Sequence, residues 1–275
     1  MIYTRRKGFF WGPGGGGILM NRTAMITGAT RNTGYAIARR FARDGYDVAL
    51  TSRSLEGAQE AACQLQREFP ERRFLPLCMN PARAEEISAA FDRVRETFGT
   101  LHVFVGNAAD LAVDCNVFDT TLARWNEVLA ANVTGNFLCA QRCAGLMTEG
   151  GSIVFISSVH ANQSITGRVA YSTSKAAVGG MMRSLALELA HLHIRVNSII
   201  AGAIWSERWA SQTPEQTAQR RLKYPAGRES STEEIAHAVA FLCEEESATI
   251  TGTELTVDSG ISVCLLPYDR NWHHE

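Results

Sequence analysis

A tyrosine and a lysine four residues apart, Tyr171 and Lys175 in the segment YSTSK, are well suited to proton chemistry. On a helix this spacing places both side chains on one face. A free tyrosine is a poor base near neutral pH, but a neighbouring ammonium group favours the phenolate and lowers the pKa of the phenol. The pair therefore predicts a residue for general acid–base catalysis. Because the spacing also arises by chance, other residues must support it.

Two more polar residues fit the same chemistry. Ser158 lies thirteen residues before Tyr171, just after the apolar run 152–156, which predicts a strand. A hydroxyl at the carboxyl end of a strand can hydrogen-bond a substrate oxygen and stabilise its developing charge. Asn132 interrupts an apolar helix, where a buried amide needs partners. It is either a local cap or kink, or it holds a water for a proton relay behind the lysine.

A second motif, TGATRNTG at 27–34, falls between a predicted strand at 23–26 and a predicted helix at 33–43. Small residues let the backbone approach a pyrophosphate, and the helix N-terminus supplies free N–H groups and a positive dipole. This position predicts a dinucleotide site. The predicted contacts in the turn are Gly28, Thr30, Arg31, Asn32, Thr33 and Gly34.

The residues after the second predicted strand indicate which cofactor is preferred. An acidic residue there would bond the ribose 2′-hydroxyl of NAD, but this chain has Ser52 followed by Arg53. Arg31 lies on the same edge of the predicted site. Two arginines and no carboxylate suit a 2′-phosphate, which predicts NADP(H) over NAD(H). The alternative is that both arginines are solvated surface residues.

The elements around these motifs alternate between strand and helix. Apolar strands are predicted at 23–26, 48–50, 74–77, 101–105, 152–156, 195–200 and 255–257, and amphipathic helices at 33–43, 55–68, 84–98, 122–147, 170–191 and 232–243. Such an order predicts a parallel sheet with helices on both faces. We expect an α/β protein with a single-domain Rossmann fold and a doubly wound, seven-stranded parallel sheet.

Length and composition are consistent with one large domain: the chain has 275 residues, 45% hydrophobic and 20% charged. We expect a disordered leader at 1–19, the domain at 20–266 and a polar tail at 267–275. A net charge of -1 gives no broad basic field for nucleic acid, and no apolar run is long enough to span a membrane. The seven scattered cysteines predict buried, reduced thiols in a cytoplasmic protein, with no metal site.

Taken together, the motifs resemble the short-chain dehydrogenase/reductase family over about residues 23–260. The turn is similar to the family's TGxxxGxG, and Asn132, Ser158, Tyr171 and Lys175 match its Asn-Ser-Tyr-Lys set in type, order and spacing. The resemblance implies hydride transfer between a nicotinamide and a carbonyl or secondary alcohol. It further implies that Tyr171 moves the proton, that Lys175 lowers its pKa and holds the nicotinamide ribose, that Ser158 orients the substrate oxygen and that Asn132 supports the relay.

The resemblance adds cofactor contacts and also shows departures. The added contacts are Asn80, Asn107, Ala108, Tyr171, Lys175, Gly202, Ile204 and Ser206. Asn32 replaces the middle glycine of the turn, although asparagine tolerates a positive φ. Pro81 stands where the family has an apolar residue beside the adenine, and Ala201 replaces a proline. These departures leave open a non-catalytic NADP-sensing protein as an alternative of another class.

The substrate is less clear from the residues. His160, Trp205 and Trp209 predict a polar site with aromatic platforms for a small sugar, polyol or keto compound. The alternative for His160 is that it packs or caps without touching substrate. A 3-oxoacyl-thioester (acyl carrier protein) reductase is the alternative, since it would share every general motif. The family likeness also implies a mobile substrate lid at about 205–225 and a homo-oligomer, a tetramer or dimer. Candidate self-association contacts are Val178, Met181, Met182 and Leu185, although packing within the chain's own core explains most of that stripe equally well.

Overall fold

Seven parallel strands form one sheet in the order β3-β2-β1-β4-β5-β6-β7 in a computed structural model that describes residues 22–265. The strands are β1 (Thr23–Ile26), β2 (Asp47–Ser52), β3 (Phe74–Cys78), β4 (Val103–Gly106), β5 (Gly151–Ser158), β6 (Ile194–Ala201) and β7 (Glu254–Val257). The predicted leader at 1–19, the tail at 267–275 and the outer limits of the predicted domain lie outside the described residues.

Helices cover both faces of this sheet, which confirms the predicted doubly wound fold. They are α1 (Asn32–Arg43), α2 (Leu55–Glu68), α3 (Ala84–Phe98), α4 (Leu122–Leu129), α5 (Gly135–Leu146), α6 (Val169–Glu188), α7 (Pro214–Arg221) and α8 (Thr232–Cys243). Helices α1, α2 and α8 pack on one face, and α3, α5 and α6 pack on the other.

Alternation along each strand divides the core in two. In β1, Ala24 and Ile26 contribute to the core under α1 and α8, whereas Met25 between them contributes to the core under α3 and α6. Successive side chains of a strand point to opposite faces, and both faces here are covered. The central strands are therefore buried at nearly every position rather than at every second one.

The predicted single helix at 122–147 is interrupted. A π-helical turn at Ala130–Thr134 separates α4 from α5, and Asn132 lies fully buried within it. Single π turns inside α-helices often occur at functional sites. The predicted helix at 170–191 also ends early, at Glu188, and a 3₁₀ turn leads from it to His193 with a φ of +58°.

One expectation, about the cysteine side chains, was wrong. Cys63 and Cys78 are exposed, because each lies on the solvent side of its element. Three of the candidate self-association residues, Val178, Met182 and Leu185, are buried in the chain's own core under α6. That stripe therefore packs against the sheet.

Two searches confined to residues 22–265 bear on partners. No group of three or more histidine, cysteine, aspartate or glutamate side chains is arranged to hold a metal ion. No helix in this range has the length and apolar content needed to cross a bilayer.

Candidate active site

The carboxyl ends of β1, β4, β5 and β6 bring most of the predicted site residues to one edge. Because all strands are parallel, the loops that follow them meet at the same edge of the sheet. Strand order reverses between β1 and β4, and ligands of open α/β sheets bind at such a switch point. The glycine-containing turn at 27–34 follows β1, and Ser158 ends β5.

Tyr171 and Lys175 lie on consecutive turns of α6, as their spacing predicts. The ammonium nitrogen Nζ of Lys175 lies 5.6 Å from the centroid of the Tyr171 ring. Nζ also donates a hydrogen bond to the carbonyl oxygen of Ile156, at 2.7 Å. Only 3% of Lys175 is exposed, and this burial lowers the pKa of the lysine to about 8. The structure thus places a buried cation beside a half-buried phenol.

His160 lies beside the same phenol, and Ser158 contacts His160. The Ser158 hydroxyl oxygen accepts a hydrogen bond from the His160 main-chain N–H at 3.2 Å, so its own hydrogen can still be donated. The His160 ring meets the Tyr171 ring edge-to-face, with centroids 5.7 Å apart. Burial, together with the charge of Arg168, lowers the pKa of His160, which favours the neutral ring near pH 7. Its Nδ1 atom is buried and has no hydrogen-bond partner among residues 22–265.

Asn132 joins two elements of the site through its side chain. Its Oδ1 accepts from the Asp110 N–H at 2.7 Å, and its Nδ2 donates to the Asp110 carbonyl and to the Ser174 hydroxyl. Ser174 in turn donates to the carbonyl of Tyr171 at 2.7 Å. The amide therefore ties the loop after β4 to the helix that carries the phenol.

These bonds narrow how Asn132 could serve a proton relay. Both of its amide hydrogens are used within the protein, so the side chain has no hydrogen left for a water. Its main-chain carbonyl accepts from Asn136 at 2.8 Å and retains a second lone pair. The relay itself stays a prediction. Sequence reasoning missed Asp110 and Ser174, although Ser174 lies inside the YSTSK motif.

The turn after β1 contains residues with a positive φ and a glycine in close backbone contact. Gly28 has a φ of +63° and Asn32 a φ of +47°, so Asn32 adopts the left-handed conformation expected of it. A Cβ on Gly34 would lie 2.1 Å from the Gly28 carbonyl oxygen, which only glycine avoids. Helix α1 begins at Asn32 without a side-chain cap from Arg31, so its first N–H groups remain available to an anion.

Strand ends β1 and β4 are locked together beside this turn. Asn107 Nδ2 donates to the carbonyls of Thr27 and Gly28, at 2.9 and 3.1 Å. In return the Thr27 hydroxyl oxygen accepts the main-chain N–H groups of Asn107 and Ala108, both at 2.9 Å. Asn107 and Ala108 thus brace the turn, together with Thr27, which sequence reasoning did not single out.

The remaining predicted cofactor residues lie along the same edge. Ser52 ends β2 and accepts a hydrogen bond from Ser54, while Arg31 and Arg53 are exposed. The Asn80 side chain already makes one hydrogen bond within the protein, because its Oδ1 accepts from the N–H of Ala82 at 3.0 Å. Thr30 and Thr33 are half-buried within the turn after β1.

Beyond β6 the chain carries the predicted nicotinamide and substrate contacts. Gly202 packs so closely on Asp258 that a Cβ would lie 2.7 Å from it. The Ser206 hydroxyl is buried without a hydrogen-bond partner among the described residues. Trp205 is half-exposed, but Trp209 carries the Arg220 guanidinium 4.0 Å from its ring centroid. One face of the Trp209 ring is therefore covered by the protein.

Comparisons with known proteins agree with this geometry. A family model described as enoyl-(acyl carrier protein) reductase matches residues 28–262. Glucose 1-dehydrogenase 2 of Bacillus subtilis is 32% identical over 249 residues, 89% of this chain and 96% of that protein. The 3-oxoacyl-[acyl-carrier-protein] reductase of Aquifex aeolicus is 34% identical over 245 residues, covering 88% and 98%. The crystal structure of acetoin dehydrogenase from Salmonella typhimurium has a TM-score of 0.80 at 31% identity, covering 90% of this chain and 100% of that one.

The parallel sheet, the glycine turn and the Tyr–Lys pair define a nucleotide-dependent oxidoreductase. The chain belongs to the short-chain dehydrogenase/reductase family, and it is an oxidoreductase that acts on CH–OH groups.

Proposed function

We propose that the protein interconverts a carbonyl and a secondary alcohol with NADP(H), and that Tyr171 moves the proton. The observation that carries this proposal is the buried Lys175 ammonium 5.6 Å from the Tyr171 ring, at the sheet edge that Ser158 also occupies. The ammonium favours the ionised phenol, so Tyr171 can take a proton from a hydroxyl or return it to a carbonyl oxygen. Ser158 donates its hydrogen to the same substrate oxygen and holds it in place. The nicotinamide, when bound, supplies or accepts the hydride.

The residues present fit a nicotinamide dinucleotide. The uncapped start of α1 and the close approach of Gly28 and Gly34 leave a backbone cradle for the pyrophosphate. The unpartnered Ser206 hydroxyl supports a role on the nicotinamide side. We propose that the remaining predicted cofactor residues line this cradle, with Arg31 and Arg53 on the 2′-phosphate.

Ser52→Asp is expected to lower kcat/KM with NADPH about a hundredfold relative to NADH, because the new carboxylate would repel a 2′-phosphate and accept a ribose hydroxyl. Kinetic assays with both cofactors measure the ratio. Ser54→Asp is the matched control, since it adds the same charge two residues away, where Ser54 caps α2 and aspartate caps equally well. A wild-type preference for NADH would contradict the proposed cofactor.

For the substrate we propose a small polar carbonyl compound, sugar or polyol. His160 lies against Tyr171, and burial lowers the pKa of its ring; Trp205 is half-exposed, so both can contact a polar ligand. The glucose dehydrogenase relative supports this class. A 3-oxoacyl thioester is the second candidate. It is favoured by Leu111 and Val113, which are exposed on either side of Ala112, and Ala112 belongs to the apolar cluster that contacts Tyr171.

A substrate panel separates the two candidates. Sugars, polyols, acetoin-type ketones and acetoacetyl thioesters are assayed by NADPH absorbance, with wild type and His160→Ala side by side. We expect the best polar substrate to exceed acetoacetyl thioesters in kcat/KM, and His160→Ala to lower that value about tenfold through a lost hydrogen bond. Higher kcat/KM with the thioester, unchanged in His160→Ala, would favour the second candidate.

We also propose that residues 205–225 form the substrate lid. They follow β6 at the site edge and include the short helix Glu207–Trp209 and α7. Segments in such positions close over substrates and exclude water.

A homo-oligomer, a dimer or tetramer, completes the proposal. Phe118 is 93% exposed, and Leu122 and Phe137 on α4 and α5 are also exposed, a surface that a second copy could cover. Light scattering should give two or four chain masses. A monomer at micromolar concentration would contradict this expectation.

A further inference from the structure

A buried carboxylate outside the proposed catalytic group lies at the base of the lid. Glu229, between α7 and α8, is 3% exposed. Its Oε2 lies 2.9 Å from Nη1 of Arg220, and its Oε1 lies 3.1 Å from Nη2 of Arg221. Both arginines belong to the last turn of α7. One buried anion thus holds the end of the lid helix through two cations.

Arg220 extends this contact across the lid. Its Nε donates to Oε1 of Gln212 at 2.9 Å, and its guanidinium lies 4.0 Å from the centroid of the Trp209 ring. Stacking of this kind adds a cation–π attraction to the ion pair. Through Arg220, Glu229 therefore reaches the short helix Glu207–Trp209, the turn after it and α7.

Ser230, the residue after Glu229, hydrogen-bonds to the chain just before and at the start of the lid segment. The Ser230 carbonyl accepts from the Trp205 N–H at 2.8 Å, and the Ser230 N–H donates to the Ala203 carbonyl at 3.0 Å. The chain entering the lid is thereby paired with the chain leaving it. Glu229 lies at this junction, so a change in its contacts acts on the whole segment.

The charge of Glu229 is stable in its buried position only through its two arginine partners. Burial opposes ionisation of Glu229, but hydrogen bonds from Arg221 and Arg220 outweigh it and lower the pKa to about 2. A buried carboxylate that loses its partners carries a large desolvation penalty. Movement of α7 away from this position would leave the Glu229 carboxylate buried without its two cations.

We propose that Glu229 is a positioning residue that latches the lid through Arg220 and so sets the affinity for substrate. This inference rests on the proposed lid at 205–225. Glu229 acts on Trp209 and α7, and it does not touch the reacting atoms.

Limited proteolysis of the cofactor-free protein tests the latch without any assay of activity. Trypsin cuts after Arg220 and Arg221 only when the segment opens, so Glu229→Gln is expected to raise the cleavage rate there about tenfold. Glu229→Asp keeps the charge and should restore much of the protection. Glu68→Gln is the matched control, because it breaks an exposed carboxylate–arginine pair with Arg39, far from the lid. Equal cleavage of Glu229→Gln and wild type would overturn the latch.

A second variant covers the case in which Glu229→Gln does not fold. Arg220→Met removes the connection to Trp209 and Gln212 while Glu229 keeps Arg221, and cleavage after Arg221 should again rise. In the folded variants, KM for the best substrate is expected to rise about fivefold, with kcat and the cofactor Kd unchanged. Faster cleavage with an unchanged KM would overturn the link to substrate affinity. If wild type turns over no substrate, the proposed function fails, while the proteolysis still decides the latch.

Discussion

Tyr171→Phe is expected to lower kcat about a thousandfold or more while leaving the Kd for NADP(H) within about threefold. The change removes only the hydroxyl. The ring keeps its packing against the apolar cluster of Ala112, Cys115, Val128 and Ala170, and its edge contact with His160. Loss of the proton donor then slows the chemical step, whereas the affinity of the turn after β1 for the cofactor is unchanged. Steady-state kinetics give kcat, and a titration of NADPH fluorescence gives the Kd.

Tyr46→Phe is the control for this experiment. Tyr46 is buried, it precedes β2 at the opposite edge of the sheet, and burial raises the pKa of its phenol to about 12. Removing that hydroxyl should leave kcat unchanged. A Tyr171→Phe variant within threefold of wild type would exclude the phenol as the proton carrier, and with it the proposed chemistry.

Lys175→Met is expected to lower kcat at least a hundredfold and yet raise the free energy of unfolding by about 1–2 kcal/mol at pH 7 without cofactor. Burial lowers the pKa of Lys175 from 10.5 to about 8, so the folded state binds its proton less tightly than the unfolded state does. That difference corresponds to roughly 3 kcal/mol against folding, and the lost bond from Nζ to Ile156 offsets part of it.

The pH dependence follows from the same lowered pKa. Below about pH 8 the lysine is charged in both states, and the whole penalty of burial is present in wild type. Between about pH 8 and 10.5 the folded state loses the proton first, so wild-type stability rises and the gap to Lys175→Met closes. Urea unfolding at pH 7 and pH 10 measures this. Lys223→Met, at an exposed lysine, should show no such gap. A Lys175→Met variant less stable than wild type at pH 7 would show that the ammonium stabilises the fold.

The sequence determined what depends on neighbours along the chain. Helix bounds at 55–68, 84–98 and 232–243 agree with the structure residue for residue, because periodicity and caps are local. The left-handed Asn32 and the Tyr171–Lys175 face follow from short spacings as well. The parallel direction of the seven strands was also predictable, since strands that alternate with helices need crossover connections.

Only the tertiary structure decided which distant groups meet. Asn132 joins Asp110 and Ser174, which lie 22 and 42 residues from it, and no local pattern could indicate those bonds. The cover over Trp209 and the pairing of Glu229 with α7 were missed for the same reason. Spacing along a helix or strand is set by backbone geometry, whereas a contact between elements depends on how the whole sheet and its helices pack.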